Sequence, residues 1–447
     1  MVGGDAAGMS AAANARRRDP DATIVVFDRG QRTSYSACGI PYYLGDLVSD
    51  IERLVARSPE EHRQAGIDVR LGHEVLGVDL DAGRLTVRDG GDGGGESLQP
   101  FDELVIATGA RAVAPDLPGA EALEPVRTLD AAERLRSQLQ AAGQRAVVIG
   151  GGYIGVEMAE ALVRRGLKVT LVDMADQLFA ALDADMAREV QQAAEGVGIR
   201  VLLGLSVQEV SLGDDGRPRS VLTSDGELGA DHVILATGVR PDVEVAQDAG
   251  LEVGQTGALS VDDGQRCTIG GGLAESVFAA GDCVESRHRL LHRPVNIQLG
   301  THANKQGRIA GVNATGGDLH FPGVIGTAIS RVCQREIART GLNEREAAEA
   351  GLEVVAETIS STTRAGYLAD DDTLTVKVVA ERGSGRLLGA QIVGAPTAGK
   401  RIDAVALAIW NGMTVEELQW ADLAYAPPVS PVLDPILVAA RAVAKRV

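Results

Sequence analysis

Hydrophobic residues in this chain come in short runs, and two of those runs carry the same punctuation. Near the start, Gly3-Gly4-Asp5-Ala6-Ala7-Gly8 opens an alanine-rich stretch predicted as a helix to about Arg18. Thr23-Ile24-Val25-Val26-Phe27 then reads as a buried strand ending in Asp28. Further on, Ala146-Val147-Val148-Ile149 is a strand, Gly150-Gly151-Gly152-Tyr153-Ile154-Gly155 a turn, and Val156–Arg165 a helix. Lys168–Val172 follows as a strand ending in Asp173. After each unit comes an apolar run closing on Thr-Gly: Glu103–Gly109, ending in Ala107, Thr108 and Gly109, and Asp231–Gly238. Shorter strands are predicted at Ile67–Leu71, Glu74–Leu80 and Arg84–Arg88, with a loop tip at Asp89–Gly95. Ser276–Ala280 is an apolar strand running into Gly281-Asp282. From about Phe321 the pattern changes. Thr373–Val379 and Leu387–Val393 read as strands, Ala398–Asn411 and Val415–Leu423 as helices, and Tyr425–Pro431 as a rigid segment before a final alanine-rich helix.

Strand, glycine turn, helix, strand and acid in that order predict a dinucleotide-binding unit. Small residues let the backbone approach a pyrophosphate at the helix N-terminus, where free N–H groups and the helix dipole favour an anion. The acid, about 20 residues on, is placed to accept from a ribose hydroxyl pair. The candidates are Gly3, Gly4, Ala6, Ala7, Gly8 and Asp28 in the first unit. In the second they are Gly150, Gly152, Tyr153, Ile154, Gly155 and Asp173. The second unit fits G-x-G-x-x-G throughout, whereas the first has Asp5 in the middle glycine's place. Asp173 would repel a 2′-phosphate, which predicts NADH over NADPH. A strand of about five residues should precede each turn, yet only Met1 and Val2 precede Gly3. The expectation is a truncated strand or a misassigned start, weakened flavin retention, and further apolar residues encoded in frame upstream. Asp282 admits two readings, a contact to a flavin polyol hydroxyl or a cap on a following helix.

Composition narrows the picture. The 447 residues suit two to four domains. A net charge of −19 argues against a nucleic-acid or anionic-membrane partner. An anionic ligand would need a local basic patch, and Arg16, Arg17 and Arg18 are the candidates. No apolar run approaches the roughly 18 residues of a membrane helix, no signal peptide is read, and no metal ligand is assigned. Four unclustered cysteines suit a reducing cytoplasm.

Cys38 sits in Ser34-Tyr35-Ser36-Ala37-Cys38-Gly39-Ile40-Pro41-Tyr42-Tyr43, and the next cysteine is Cys267. If it reacts, it does so alone, through a mixed disulfide or a sulfenic acid; the other reading is a small buried hydrophobe. Two nucleotide units imply hydride passing from NADH to a flavin, and a flavin can hand both electrons to a sulfur bond. Pro41 suits the first turn of a helix. A helix N-terminus beside Cys38 is expected to lower its pKa. Cys267, Cys283 and Cys333 read as structural.

Six motifs in order now carry a resemblance: Gly3–Gly8, Ser34–Tyr43, Gly150–Glu157, Thr237–Pro241, Phe278–Asp282 and Tyr425–Pro428. Over nearly its whole length the chain resembles the FAD-dependent pyridine nucleotide–disulfide oxidoreductases. It is most similar to the single-cysteine branch of coenzyme A-disulfide reductases, NADH oxidases and NADH peroxidases. The resemblance implies an α/β chain with two Rossmann-like dinucleotide-binding domains, for FAD and NAD, plus a C-terminal α+β dimerisation domain. The FAD domain would span 1–111 and 240–320, the NAD(P)H domain 112–239 and the dimerisation domain 321–447. It extends cofactor contacts to Arg29, Val75, Ala107, Thr108, Gly109, Glu157, Gly238, Gly281, Asp282 and Ala303. It also implies coenzyme A contacts at Ser10, Asn14, Arg17, Ser34 and Asn304, and a homodimer in which Tyr425 reaches the partner's active site. Tyr425 or Tyr367 would protonate the leaving thiolate, and Tyr153 would move aside for the nicotinamide.

Ala6 stands where the oxidases and peroxidases carry a histidine, which favours disulfide over peroxide chemistry. Ala37 replaces an asparagine, Leu433 a lysine, and Tyr367 is followed by Leu368 instead of a second tyrosine. These departures leave the sulfur chemistry and loosen the tie to coenzyme A, so another small disulfide or a persulfide stays open. The other readings are an NADH oxidase or peroxidase cycling a Cys38 sulfenate, a redox-sensing FAD/NAD-binding protein, and a flavoprotein reductase serving a protein carrier.

Overall fold

The computed structural model describes residues 1–91, 94–113, 115–139, 143–368 and 372–447. Of the predicted loop tip, Asp92 and Gly93 lie outside the described residues.

Both glycine turns feed parallel sheets. The first sheet runs Ile67–Leu71, Ile24–Asp28, Val2, Leu104–Ile106, Gly272–Ala279 and Arg266–Ile269. All neighbours are parallel except the last pair. Its central position is held by Val2 alone, bridging Phe27 and Ile106. Val2 N–H donates to Val105 O at 2.9 Å and Val2 O accepts from Ala107 N–H at 2.7 Å. The short strand is therefore fully paired and buried, which backbone polar groups in a core require. Helix Ala6–Arg18 packs on helix Gly300–Asn313 at backbone distance. A Cβ at Gly307 would lie 2.2 Å from Ala7 O, and one at Gly311 would lie 2.1 Å from Ala11 O.

The second sheet is parallel throughout, ordered Arg200–Leu202, Lys168–Val172, Arg145–Ile149, His232–Leu235. Each parallel sheet is accompanied by an antiparallel three-stranded meander, His73–Asp79 to Glu96–Pro100 and Val207–Leu212 to Gly226–Gly229. The chain crosses between the two units through Ala110–Ala112 and Val239–Pro241, which pair antiparallel.

The C-terminal part is a five-stranded antiparallel sheet. Its faces follow from the alternation along Thr373–Glu381. Leu374, Val376 and Val378 pack with Ile402, Val405, Ile436 and Val443 of the covering helices. Thr375 and Lys377 face the second nucleotide unit. There Lys377 Nζ, on a side chain only 6% exposed, meets Asp183 at 3.2 Å, Asp185 at 2.9 Å, and Glu344. Gln391 donates to Asp183 Oδ2 at 2.6 Å and accepts from Asp183 N–H at 2.7 Å.

Two expected helix bounds need correction. The helix expected over Val415–Leu423 ends at Leu418, because Val415 and Leu418 reach the core while Trp420 turns to solvent. The one expected over Ala398–Asn411 begins as a 3₁₀ turn and is α only over Ile402–Trp410. At the predicted basic patch, Arg16 donates to Pro20 O, Ala22 O and Gly66 O, and Arg18 to Thr315 O and Gly316 O, while Arg17 stays exposed. Among the described residues no helix is long and apolar enough to cross a membrane.

Replacing Lys377 by Met should cost about 3 kcal/mol or more, since Asp183 would remain buried without its counter-charge. Chemical denaturation measures this, and an unchanged midpoint would count against a stabilising role for the Lys377 ion pairs.

Candidate functional site

Cys38 lies in a 3₁₀ turn, Ala37–Gly39, followed by the one-turn helix Ile40–Leu44 with Pro41 in its first turn. The loop leading to it is anchored on the first glycine turn, where Gly4 O accepts from Thr33 Oγ1 and from Ser34 N–H at 3.4 Å. Ser36 N–H donates to Leu54 O at 2.8 Å. Gly39 leaves room for Leu54, whose side chain would sit 2.3 Å from an added Cβ. Of the four cysteines, Cys38 is exposed while Cys267, Cys283 and Cys333 are buried.

The expected acidification of Cys38 is not found. Partial burial pushes the thiol up, and the nearby carboxylates of Glu157, Asp282 and Asp5 push it the same way. A helix of five residues offers too little dipole to compensate. Glu157 comes from helix Tyr153–Arg164, so the second nucleotide unit packs on the helix that follows the cysteine and the Glu157 charge acts on the thiol. Its carboxylate accepts from Ser330 Oγ at 2.5 Å and is itself raised, chiefly by burial. A pocket of about 170 Å³ opens here, lined by Pro41, Tyr42, Glu157, Glu160, Arg164 and Arg331 among others.

The first nucleotide turn is built from backbone. Gly3 takes φ +101°, and a Cβ on Gly8 would sit 1.9 Å from Gly3 O. Asp28 accepts from Gly4 N–H at 2.6 Å and Gly30 N–H at 2.7 Å, leaving one lone pair on each oxygen for a ribose. An added Cβ on Gly281 would sit 2.9 Å from the Ala7 Cβ and 3.6 Å from the Ala303 Cβ, so these three predicted residues converge. No helix follows Asp282, which removes the capping reading. Asp5 is pushed up to about 6 by burial, Asp28 and Asp282. Arg127, which the sequence reading missed, stands within the field of Asp282 and Tyr35. Its Nη1 is buried without a partner. An unpaired guanidinium nitrogen beside a glycine cradle fits the pyrophosphate of a dinucleotide. A lone arginine ahead of the Thr128 N-cap has no sequence signature, so only the fold reveals it.

The second turn repeats the first. Gly150 takes φ +115°, and a Cβ on Gly155 would lie 1.8 Å from Gly150 O. Asp173 accepts from Gly151 N–H and from Ala175 N–H at 2.8 Å. Gly152 and Ile154 are open to solvent. Tyr153 packs edge-on against Phe179 at 4.7 Å, its Oη buried and unpartnered. Gly109 and Gly238 take positive φ at the ends of the two repeated strands. Ala107 O lies against Gly3, Thr108 Oγ1 donates to Asp242 O, and Arg29 pairs with Asp242 at 3.2 Å. Val75 packs on the core of the first unit.

Ser10, Asn14, Arg17 and Asn304 are brought into one row. Ser10 Oγ donates to Asn304 O at 2.8 Å, Asn14 Nδ2 to Ser10 O at 2.8 Å, and Arg17 to Asn14 Oδ1 at 3.4 Å. Ser34 takes φ +51° and is bonded instead to His62 Nε2 at 2.9 Å, a partner the sequence reading did not assign. Tyr367 and Tyr425 are exposed, on loops joined by Ala365 N–H to Pro427 O at 3.0 Å. Among the described residues no contact joins either tyrosine to Cys38 of the same chain.

Iodoacetamide should therefore modify one residue of the native protein, Cys38, at a rate that rises with pH as the thiolate forms. Peptide mass spectrometry across pH 6–9 reads both expectations.

Comparison with known proteins agrees with this geometry. Residues 1–307 match the pyridine nucleotide-disulphide oxidoreductase family, and residues 327–435 match its dimerisation domain. The NAD(P)H coenzyme A polysulfide/persulfide reductase of Pyrococcus horikoshii is 37% identical, covering 99% of this chain and 97% of the relative. The NADH oxidase of Methanocaldococcus jannaschii is 32% identical, over 100% and 98%. The solved NAD-dependent persulfide reductase of A. fulgidus superposes with a TM-score of 0.93 at 37% identity, covering 99% of this chain and 82% of the other. With two glycine-turn nucleotide units, one accessible cysteine between them and these matches, the chain belongs to the FAD-dependent pyridine nucleotide-disulphide oxidoreductases.

Proposed function

We propose that the protein uses NADH to reduce a small sulfur–sulfur compound through Cys38, with coenzyme A disulfide or a coenzyme A persulfide as substrate. The observation that carries this reading is a single accessible thiol placed where side chains of both nucleotide units converge. The names of the relatives support the sulfur chemistry, and Ala6 at the oxidase histidine's position weighs against peroxide cleavage.

Bound FAD supplies two-electron transfer between a nicotinamide and a sulfur bond. The chain's own residues do the rest. Gly3, Gly4, Ala6, Ala7 and Gly8 cradle its pyrophosphate and Arg127 neutralises it, while Asp28 and Asp282 accept from its hydroxyls. Arg29, Val75, Ala107, Thr108, Gly109, Gly281 and Ala303 shape the remaining wall. Gly150, Gly152, Ile154, Gly155 and Gly238 hold NADH, and Asp173 disfavours a 2′-phosphate. Tyr153 swings aside for the nicotinamide and Glu157 orients it. The Cys38 thiolate attacks one sulfur of the disulfide, forming a Cys38 mixed disulfide and expelling the other as thiolate. Two electrons from NADH then break the mixed disulfide, restoring the Cys38 thiolate and releasing the second thiol. Ser10, Asn14, Arg17, Ser34 and Asn304 hold the substrate. Tyr425, contributed across a homodimer in the cytoplasm, or Tyr367 supplies the proton to the leaving thiolate.

The Cys38→Ser variant should keep flavin and its reduction by NADH yet lose turnover of coenzyme A disulfide; retained turnover would falsify the mechanism. Matched oxygen consumption by the native protein without any disulfide would move the reading to an NADH oxidase. Arg127→Met should weaken flavin retention by about tenfold or more, the loss of one charged hydrogen bond, read as flavin fluorescence released on dilution.

A further inference from the structure

Three parts of the chain meet at Glu157. The helix Tyr153–Arg164 carries it, the helix Ile40–Leu44 that continues from the Cys38 turn shares its pocket, and a hairpin of the C-terminal sheet bonds to it. That hairpin joins Ala328–Val332 to Arg335–Gly341 through two residues, Cys333 at φ +50° and Gln334 at φ +62°. Both take left-handed conformations normally filled by Asn and Gly in so tight a hairpin. The tip is held against the helix by two donors: Ser330 Oγ–H to Glu157 Oε1 at 2.5 Å, and Cys333 N–H to Glu160 Oε2 at 2.9 Å. The two carboxylates stand one turn apart and line one pocket with Pro41 and Tyr42, which lie on the helix that continues from Cys38. Two carboxylates so close resist sharing a half-buried wall, so each has been given its own donor from the hairpin.

We propose that Ser330 is a positioning residue, holding the Glu157 carboxylate ionised and aimed at the Cys38 turn, so that the dimerisation domain sets how readily the cysteine reacts. This rests on the reading of Cys38 as the reacting thiol. The groups facing the two side chains are Tyr42 from the cysteine's own helix, Tyr153, Glu160 and Arg164 from the nucleotide helix, Arg331 from the hairpin, and Asp5 and Asp282 from the first nucleotide unit. Of these, Glu157 is the foremost charge opposing the Cys38 thiolate. A hydroxyl donated to it favours its charged form. Without that hydroxyl the carboxylate takes up a proton more easily or turns away, and the thiolate is opposed less.

The test is a mutant cycle on the flavin-loaded protein, following iodoacetamide alkylation of Cys38 by peptide mass spectrometry against pH. Ser330→Ala should raise the alkylation rate at pH 7 by about threefold or more, as expected when a neighbouring carboxylate loses its charge. Glu157→Gln should raise it at least as much, and adding Ser330→Ala to Glu157→Gln should change nothing further. Should Ser330→Ala retain flavin poorly, Ser330→Thr and Ser330→Val make the same comparison with the site filled, Thr matching the native rate and Val the faster one. A native rate in Ser330→Ala or Ser330→Val, or an equal effect of Ser330→Ala with and without Glu157, overturns the proposal. The readout needs no turnover. Failure of the disulfide-reductase reading would show as native alkylation without NADH-dependent disulfide reduction, and failure of this inference as turnover without the cycle.

Discussion

The close approach of backbone to backbone at Gly3–Gly8 is the contact on which the rest depends. A Cβ at Gly8 would overlap Gly3 O, and one at Gly3 would overlap Ala107 O. Only without them can helix Ala6–Arg18 start directly at the end of the central strand with its first N–H groups free for an anion. The same turn offers Gly4 O to Thr33 and Ser34, so the loop carrying Cys38 is hung from the nucleotide site itself. Gly150–Gly155 repeats the device. The two turns differ in what fills the second glycine position, Asp5 in one and Gly152 in the other.

That difference matters for charge. Glu157, Asp282 and Asp5 act on the Cys38 thiol, with Asp28 acting on Asp5, in a chain whose net charge is already −19. Asp28 and Asp282 help to raise Asp5, and Glu157, Asp282 and Asp5 push the thiol up. Arg127 is the cation at this cluster with an unfilled donor, and it stands ahead of the helix Leu129–Gln138. An anionic cofactor at the glycine cradle therefore needs Arg127 and the helix N-terminus at once, because the carboxylates would otherwise oppose it. The C-terminal sheet contributes a second set of polar contacts, from Lys377, Gln391 and Ser330. These fix the second nucleotide unit against it instead of leaving the unit to swing on its two connecting strands.

Much of this was legible in residue order. The alternation in Thr373–Glu381 marks its apolar face, the two glycine turns mark their helices, and Asp28 and Asp173 mark their strand ends, because each depends on residues within one or two turns. The single paired residue Val2 was also foreseeable from the shortage of residues before Gly3. Long-range partners were not legible. Arg16 and Arg18 bond to carbonyls as far away as Gly66 and Gly316, and Ser34 to His62.

The sequence alone determined the two nucleotide units, their acids, the unpaired cysteine and the change of character near Phe321, since local spacing and steric demand encode them. Tertiary structure decided which charges act on Cys38 and which groups hold those charges. Glu157, Asp282, Arg127 and Ser330 come from segments about 90 to 290 residues away, and electrostatic interaction depends on distance through space and on burial, neither of which residue order records. A cysteine beside a proline-started helix reads as acidified. In the folded protein it is half-sheltered and faces carboxylates, and its thiol is raised.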